Sequence, residues 1–257
     1  MAGSKKNPPI SPLTEEDLIR YDRQILFPAF GEEGQRKLKQ SHVLIAGLGG
    51  LGSPVAIYLA CAGVGKLTVI DSDAVELSNL NRQILHWDAD IGEQKVISAA
   101  RKLEKLNPTV EIIPRAVKIT AENFSGFLQG VDLVMDCMDN MATRFMLNEG
   151  CFKAGIPLIH GGIYGMMGEI TTIIPGRTPC FECIFPPDVE GKTPFPVFGF
   201  TPALIASLQV MEAIKLLAGF GELLTGKMLY VRGEEMIFMT VDLRKNKACR
   251  VCGGGQS

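Results

Sequence analysis

Gly47, Gly49 and Gly52 have the spacing Gly-x-Gly-x-x-Gly in the stretch VLIAGLGGLGSP, directly after an apolar run. Glycines at these positions allow a tight turn and a close approach of the backbone to phosphate, and the helix that follows offers free N–H groups to an anion. Asp71 lies about 20 residues further on, where such folds place an acid that binds ribose hydroxyls. The pattern predicts a nucleotide site. Alone, it fits a dinucleotide, ATP or a turn that merely packs tightly.

Positive charges follow Asp71 in the stretch SDAVELSNLNRQILHWDADIGEQK, which contains Arg82 and Lys95. A nicotinamide cofactor needs little positive charge beyond its pyrophosphate, whereas a triphosphate needs cations along its phosphates and a carboxylate that holds Mg²⁺. Asp136 and Asp139, in VMDCMDN, could each supply that carboxylate. Taken singly, Arg82 and Lys95 are explained as well by a solvent-exposed helix face as by phosphate binding. Taken together, these charges favour ATP.

Four of the seven cysteines form two Cys-x-x-Cys motifs: Cys180 with Cys183, and Cys249 with Cys252. Two such motifs far apart in sequence have the spacing of a tetrahedral zinc site, and they favour structural zinc over a redox pair or chance. The other three cysteines stand among apolar or small residues and are predicted to be packing residues: Cys61, Cys137 and Cys151.

The elements that must position these residues alternate between strand and helix, as in a doubly wound parallel sheet. Thr14 and Asp17 have the spacing of a capping box, and Pro54 stands in the first turn of the helix after the glycines. From IPLIHGGIYGMMGEITTIIPG onward strands follow one another quickly, up to a closing hairpin at Gly233. We therefore predict an α/β fold with a Rossmann-like mixed sheet, in which a parallel nucleotide-binding half is continued by antiparallel strands.

The composition restricts the partners. We expect a single domain over residues 1–257, with 1–12 flexible, an N-terminal arm over 13–30 and a proline-rich crossover loop over 184–200. The 26 basic and 28 acidic residues nearly cancel, so no overall field favours nucleic acid or an anionic membrane. No apolar run approaches the length of a membrane span and no signal peptide is evident. We expect a cytoplasmic protein with no nucleic-acid or membrane partner.

Several motifs together resemble those of one family: RYDRQI, GLGGLGS, DSDAVELSNLNRQ, GEQK, DCMDN, the paired Cys-x-x-Cys motifs and SLQVMEAIK. From about Leu13 to Cys252 the chain is similar to the adenylating enzymes of sulfur-carrier activation in molybdopterin and thiamin biosynthesis, which are relatives of the ubiquitin-activating enzymes. The resemblance implies that ATP and Mg²⁺ activate the C-terminal glycine of a small ubiquitin-like carrier that ends in Gly-Gly. The products would be the carrier acyl-adenylate and pyrophosphate.

The resemblance also implies roles for particular residues. Asp71 would bind the ribose and Asp139 the Mg²⁺, within a larger ATP-binding set: Gly47, Gly49, Gly50, Gly52, Asp71, Ser78, Asn79, Leu80, Asn81, Arg82, Lys95, Asp139 and Asn140. The catalytic residues would be Arg23, Arg82, Lys95 and Asp139. Arg23 resembles an arginine that enters the active site of the other subunit of a homodimer, although without the family it reads as a surface salt bridge.

One departure from the family pattern concerns sulfur. Residues 184–200 contain no cysteine, whereas many relatives carry one in this loop that takes over the carrier. The reaction is therefore expected to stop at adenylation, with sulfur supplied by a separate donor protein. Three other readings stay open. They are a relative that adenylates another carboxylate, such as a tRNA-modifying dehydratase or a peptide-modifying enzyme, an NAD-dependent dehydrogenase, and a non-catalytic scaffold that only binds the carrier.

Overall fold

Eight strands form one mixed sheet in the computed structural model, which describes residues 12–185 and 195–253. Their order in the sheet is β3-β2-β1-β4-β5-β6-β7-β8. The strand bounds are β1 His42–Ala46, β2 Lys66–Ile70, β3 Glu111–Arg115, β4 Leu133–Asp136, β5 Leu158–Tyr164, β6 Met167–Ile173, β7 Lys227–Arg232 and β8 Ile237–Asp242.

The sheet changes from parallel to antiparallel pairing at β5. Strands β3, β2, β1, β4 and β5 are parallel, and β5 to β8 pair antiparallel. At the centre of the parallel half, Ile45 of β1 is aligned with Val69 of β2 and Met135 of β4, and all three side chains are buried. The predicted α/β fold, with its parallel half and antiparallel continuation, is confirmed.

Helices cover both faces of the sheet in the described ranges. Their bounds are α1 Glu15–Arg20, α2 Asp22–Ile25, α3 Gly31–Gln40, α4 Gly52–Ala62, α5 Lys95–Leu106, α6 Ala121–Phe127, α7 Met141–Ala154, α8 Phe181–Ile184 and α9 Phe200–Ala218. The predicted capping box is present at α1, where Thr14 and Asp17 exchange hydrogen bonds. Helix α9 ends at Gly219, whose φ of 78° is a left-handed conformation that glycine adopts without strain.

Two apolar clusters fill the space between sheet and helices. One contains Leu59 of α4, Leu103 of α5 and Ile205 of α9, and the other contains Phe124 of α6 and Leu147 of α7. All five side chains are buried. The sheet is therefore covered on both faces around the carboxyl ends of its parallel strands, where ligands bind in open α/β sheets.

Helix α9 corrects one expectation from the sequence. Among the described residues it is the one helix whose length and composition suffice for crossing a membrane, whereas no such stretch was expected. In the fold, α9 contacts α3, α4, β5 and β6. Gln209 and Glu212 of this helix are buried and hydrogen-bonded, the first to the backbone of Asp136 and the second to the Thr172 hydroxyl. These contacts are those of a core helix of the sheet.

Candidate functional site

A cavity of about 920 Å³ lies at the carboxyl ends of β1, β2 and β4. Eight of the residues predicted for the nucleotide site line it: Gly47, Gly49, Gly50, Asp71, Arg82, Lys95, Asp139 and Asn140. Residues from three separate parts of the chain thus meet at one place, as the sequence predicted. Most of the crossover loop, residues 186–194, and the flexible segment predicted for the N-terminus lie outside the described residues, apart from residue 12.

The glycine loop has a shape that only glycine permits. Gly47 has a φ of +92°, and a Cβ there would lie 2.8 Å from the carbonyl oxygen of Cys137. A Cβ on Gly52 would lie 1.9 Å from the Gly47 carbonyl oxygen, because α4 begins at this residue against the end of β1. A Cβ on Gly49 would make an ordinary contact with Nε2 of Gln83, at 3.7 Å. The loop therefore brings backbone N–H groups and the start of a helix to the cavity wall.

Asp71 is held at the cavity by two backbone donors. The Leu48 N–H donates to one carboxylate oxygen at 2.7 Å, and the Asp73 N–H donates to the other at 2.8 Å. The pKa of Asp71 is raised, chiefly because burial disfavours the charged form, and Lys95 and the two N–H donors oppose that shift. The carboxylate is fixed in place and keeps lone pairs that can accept hydroxyl groups of a ribose.

Two cations reach the same cavity from different elements. The side chain of Lys95, the first residue of α5, is only 6% exposed, and its Nζ lies 3.0 Å from a carboxylate oxygen of Asp73. Arg82 donates from Nη1 to the Ser78 carbonyl at 2.8 Å and to Oδ1 of Asn81 at 2.9 Å. A largely buried ammonium beside an exposed carboxylate can exchange this partner for the phosphate of a ligand.

Gly52 does not line the cavity, and neither do four consecutive residues predicted to bind the nucleotide: Ser78, Asn79, Leu80 and Asn81. Asn79 is buried, and its Oδ1 accepts the Glu76 N–H at 3.2 Å, which stabilises a one-turn 3-10 helix over residues 77–79. The structure therefore places this segment behind Arg82, where it holds the guanidinium. Direct contacts of these four residues with a nucleotide stay a prediction.

The two candidate metal-binding carboxylates have different surroundings. Asp136 is fully buried, and its carboxylate accepts a 2.7 Å hydrogen bond from Nδ1 of His160 and a 3.1 Å bond from the Met138 N–H. Asp139 is exposed on the cavity wall, beside Asn140, which caps helix α7. Of the two, Asp139 is the carboxylate that a metal ion in the cavity can reach.

Arg144 belongs to the site although the sequence analysis missed it. Its Nη2 donates to the Met138 carbonyl at 2.6 Å and to the Gly161 carbonyl at 3.1 Å, and the side chain lines the cavity. It thereby joins the loop that carries Asp139 to strand β5. Its place one turn after the cap Asn140, on a helix that the sequence analysis did not predict, is the signal that could have identified it.

Arg23 lies away from the cavity of its own chain. It is on helix α2, its side chain is 92% exposed, and its nearest acidic partner is the adjacent Asp22 at 3.7 Å. It is not among the residues that line the cavity. In this position Arg23 does not reach the cavity of its own chain, so a role for it at a nucleotide site would require a second molecule.

The four paired cysteines meet at the short helix α8, which contains Cys183 and follows Cys180. All four Sγ atoms lie within 4.8 Å of one another. The Sγ separations are 3.5 Å for Cys180 and Cys249, 3.2 Å for Cys183 and Cys252, and 4.0 Å for Cys180 and Cys183. Four thiolates around zinc, with Zn–S bonds of about 2.3 Å, lie roughly 3.8 Å apart. The cluster therefore fits a closed, four-coordinate zinc site.

The other three cysteines behave differently from one another. Cys137 and Cys151 are buried, as predicted for packing residues, and burial raises the pKa of both thiols. The prediction is wrong for Cys61, which is exposed on α4. Tyr58, three residues earlier on the same helix face, is exposed as well. The apolar neighbours of Cys61 in sequence point to the other face of the helix.

Comparison with known proteins identifies the family. The model of the ThiF family matches residues 21–251, which is most of the chain. The chain belongs to the ThiF family. The SAMP-activating enzyme E1 of Haloferax volcanii is 43% identical over 248 residues, which cover 95% of this chain and 92% of that protein. The molybdopterin-synthase adenylyltransferase of Escherichia coli K12 is 42% identical over 249 residues, which cover 94% of this chain and 98% of that one.

A solved ThiF-like structure agrees with this assignment. The crystal structure of E. coli MccB with ATP superposes with a TM-score of 0.83 at 26% identity, and it covers 91% of this chain and 75% of that chain. Relatives named adenylyltransferases make this ThiF-family chain a nucleotidyltransferase that uses ATP. The predicted resemblance is confirmed, and the reading as an NAD-dependent dehydrogenase is set aside.

Proposed function

We propose that this ThiF-family enzyme adenylates the C-terminal glycine of a small ubiquitin-like sulfur carrier, for molybdopterin, thiamin or related thiolation pathways. The observation that carries the proposal is the cavity, which has the cations Lys95 and Arg82 on one wall and the exposed carboxylate of Asp139 on another. The named functions of the similar bacterial and archaeal proteins support the same substrate class.

The proposed reaction joins two substrates at the α-phosphate of ATP. A carboxylate oxygen of the carrier's last glycine forms a bond to the α-phosphorus, and the bond from that phosphorus to the bridging oxygen of the β-phosphate breaks. The leaving group is pyrophosphate, and the carrier becomes a mixed anhydride with AMP. Lys95 and Arg82 stabilise the negative charge that passes to the pyrophosphate, while Asp71 orients the ribose.

Asp139 is the proposed ligand for Mg²⁺, because it is the one of the two candidate carboxylates that is exposed on the cavity wall. A bound Mg²⁺ would neutralise charge on the phosphates. Arg144 fixes the Met138 carbonyl, and so it holds the loop on which Asp139 stands. The proposed zinc ion, held by the four clustered cysteines, has no open coordination position for a substrate, so its role is to stabilise the fold.

A homodimer would complete the site. The exposed Arg23 lies outside its own chain's cavity, and a two-fold interface would present each N-terminal arm to the opposite subunit in the same way. Exposed apolar side chains beside it, Leu26 and Phe27, support a covered surface at this end of the molecule. Arg23 would then add a positive charge at the phosphates of the partner's ATP.

Sulfur would come from a separate donor protein, since the crossover loop has no thiol. Cys137 lines the cavity, but it is buried and burial raises the pKa of its thiol. Cys151 is buried as well, and Cys61 lies on a helix face outside the cavity lining. The enzyme is proposed to act in the cytoplasm, with neither nucleic acid nor a membrane as a partner.

Mass spectrometry of the reaction tests the proposal. The carrier incubated with enzyme, ATP and Mg²⁺ is expected to gain the mass of an adenylyl group, which is AMP less one water, and no enzyme–carrier adduct sensitive to a reducing agent should form. A second candidate substrate is a peptide carboxylate, the alternative that the sequence leaves open; MccB, whose solved structures include complexes with MccA, is similar to this chain. A peptide lacking Gly-Gly therefore serves as the competitor. Adenylation of that peptide but not of the carrier would reject the carrier as the substrate.

A further inference from the structure

His86 is a buried histidine beside the cavity that has no part in the chemistry described above. It is 3% exposed and lies between the glycine loop and helix α5. One ring nitrogen, Nε2, is 3.3 Å from the Leu48 carbonyl oxygen, and the other, Nδ1, is 3.0 Å from Oγ of Ser98. Lys102 Nζ lies 3.1 Å from the same hydroxyl.

The chemistry of these partners fixes which ring nitrogen carries the proton. A carbonyl oxygen only accepts, so Nε2 must donate to Leu48 and carry the hydrogen. Because Lys102 donates to the Ser98 oxygen, the Ser98 hydroxyl is free to donate to Nδ1. The hydrogen bonds therefore run in one direction, from Lys102 through Ser98 and His86 to the Leu48 carbonyl.

The Leu48 peptide is held on both sides. Its N–H donates to the Asp71 carboxylate at 2.7 Å, and its carbonyl accepts from His86 and, at 3.1 Å, from the Ser53 hydroxyl. Asp71 accepts the Asp73 N–H at 2.8 Å, and the Asp73 carboxylate binds Lys95. Lys95 and Ser98 are three residues apart on α5, hence on one face of that helix. The contacts close into a ring, here called the Leu48 ring: Leu48, Asp71, Asp73, Lys95, Ser98 and His86.

We propose that His86 is a positioning residue for nucleotide binding, because it closes the Leu48 ring and so fixes Asp71 and Lys95 relative to the glycine loop. The inference rests on the proposed ATP site and deepens it. Asp71 and Lys95 belong to different elements, β2 and α5, and their separation must suit the ribose and the phosphates of one ligand. Without the Nε2 donor, the Leu48 carbonyl keeps only the Ser53 hydroxyl, so the peptide whose N–H holds the Asp71 carboxylate is less firmly fixed.

The test compares substitutions of His86 that keep or remove its two hydrogen bonds. His86→Gln retains a side-chain donor and an acceptor, whereas His86→Leu has neither. A matched control is His42→Leu, since His42 also contacts a carbonyl, that of Gly130 at 3.1 Å, and a hydroxyl, that of Thr68 at 2.8 Å. His42 is the first residue of β1, so it lies at the amino ends of the parallel strands, whereas the cavity lies at their carboxyl ends.

The dissociation constant of ATP with Mg²⁺ is measured by calorimetry without any carrier, so the result does not depend on the adenylation reaction. We expect His86→Leu to weaken ATP binding about tenfold and His86→Gln to restore it to within about threefold of wild type. His42→Leu should bind ATP as wild type does. Hydrogen exchange at the Leu48 amide should rise in His86→Leu and stay low in the other two proteins.

Wild-type affinity in His86→Leu, or equal weakening in His86→Leu and His42→Leu, would overturn the proposal. If His86→Leu does not fold, Ser98→Ala provides the second variant, since it leaves the imidazole but removes the hydroxyl that orients it. Weaker ATP binding and faster Leu48 exchange are expected there too, and unchanged values of both would overturn the proposal. Loss of carrier adenylation with these binding results intact would reject the proposed function and leave the role of His86 standing.

Discussion

Asp136 and His160 are joined by a 2.7 Å hydrogen bond between Oδ2 and Nδ1, and neither side chain is exposed to solvent. Burial alone would lower the pKa of His160, but the carboxylates of Asp136 and Glu169 raise it above its usual value. Asp136 ends β4 and is aligned with His160 on the neighbouring strand β5, so the pair lies where the loop that carries Asp139 begins. Asp136 is therefore committed to holding this wall, and Asp139 is left to face the ligand.

The first prediction separates the two carboxylates. Asp139→Asn should reduce the adenylation rate by about 10²-fold or more, because it removes the proposed Mg²⁺ ligand, and it should leave the free energy of unfolding unchanged. Asp136→Asn should instead lower the free energy of unfolding by about 3 kcal/mol, because it breaks a buried pair. Chemical denaturation and initial rates measure the two effects. Normal activity in Asp139→Asn would contradict the assignment of the metal ligand.

The second prediction concerns zinc. Purified protein should contain one zinc ion per chain, and Cys249→Ser should lose it together with much of the folding stability, since a structural zinc site contributes about 10 kcal/mol or more. Cys61→Ser is the matched control, because Cys61 is exposed and outside the cluster. Elemental analysis and thermal unfolding report the outcome. A Cys249→Ser protein as stable as Cys61→Ser would show that the cluster does not hold a stabilising ion.

The third prediction tests whether Arg23 acts across a dimer. Arg23→Ala and Lys95→Ala should each be inactive, and mixed subunits should recover roughly a quarter of wild-type activity, because half of the dimers are mixed and each has one intact site. Arg20→Ala is the control, since Arg20 pairs with Glu16 of its own helix. Failure to recover activity after proven subunit exchange would place Arg23 outside the partner's site.

The fourth prediction follows from the pKa of His86. Burial lowers it from 6.5 to about 4; the hydrogen bond to the Leu48 carbonyl opposes that shift, as does the weaker effect of Asp90, whereas Lys102 and Lys95 act in the same direction as burial. The unfolded chain therefore binds the proton more tightly than the folded one, so this contribution to stability is present above pH 6.5 and is lost as the pH falls toward 4. Because one pKa unit corresponds to about 1.4 kcal/mol, the free energy of unfolding falls by up to about 3 kcal/mol over this pH range.

His86→Gln provides the reference for this effect, because other histidines titrate in both proteins and cancel. The difference in free energy of unfolding between wild type and His86→Gln is measured by denaturation at several pH values from 4 to 7.5. The free energy of unfolding of wild type should fall relative to that of His86→Gln as the pH is lowered from 7.5 to 4. A difference that does not change with pH would mean that His86 titrates normally in the folded protein.

The sequence predicted the features of the site that depend on neighbouring residues, and it missed those that depend on contacts between residues distant in sequence. Glycines at 47 and 52, the cap Thr14 and the apolar strands are local signals, and each led to the correct element. The side-chain partners of Asp136 and Lys95 were missed, because His160 and Asp73 reach them through pairing of β4 with β5 and through packing of α5. Residue types alone could not distinguish Asp136 from Asp139, since both lie at the end of the same strand; only the family resemblance favoured Asp139, and burial separates the two in the fold.

The exposure of Cys61 was also missed for a physical reason. Apolar residues on all sides of α4 do not show which face of the helix turns toward the core. Only the contacts of the folded chain decide it. The clustering of the paired cysteines could be predicted from the sequence. A structural zinc site needs four ligands, so two Cys-x-x-Cys motifs indicate one site even when they are far apart in the chain.

ATP–pyrophosphate exchange, measured with and without a Gly-Gly carrier, tests the central claim most directly. Enzyme, ATP, Mg²⁺ and labelled pyrophosphate should produce labelled ATP only when the carrier is present, because its carboxylate is the proposed nucleophile at the α-phosphate. A carrier truncated by its last two glycines should give no exchange. Equal exchange without a carrier, or none with any Gly-Gly carrier tested while a peptide ending in another residue supports it, would contradict the account.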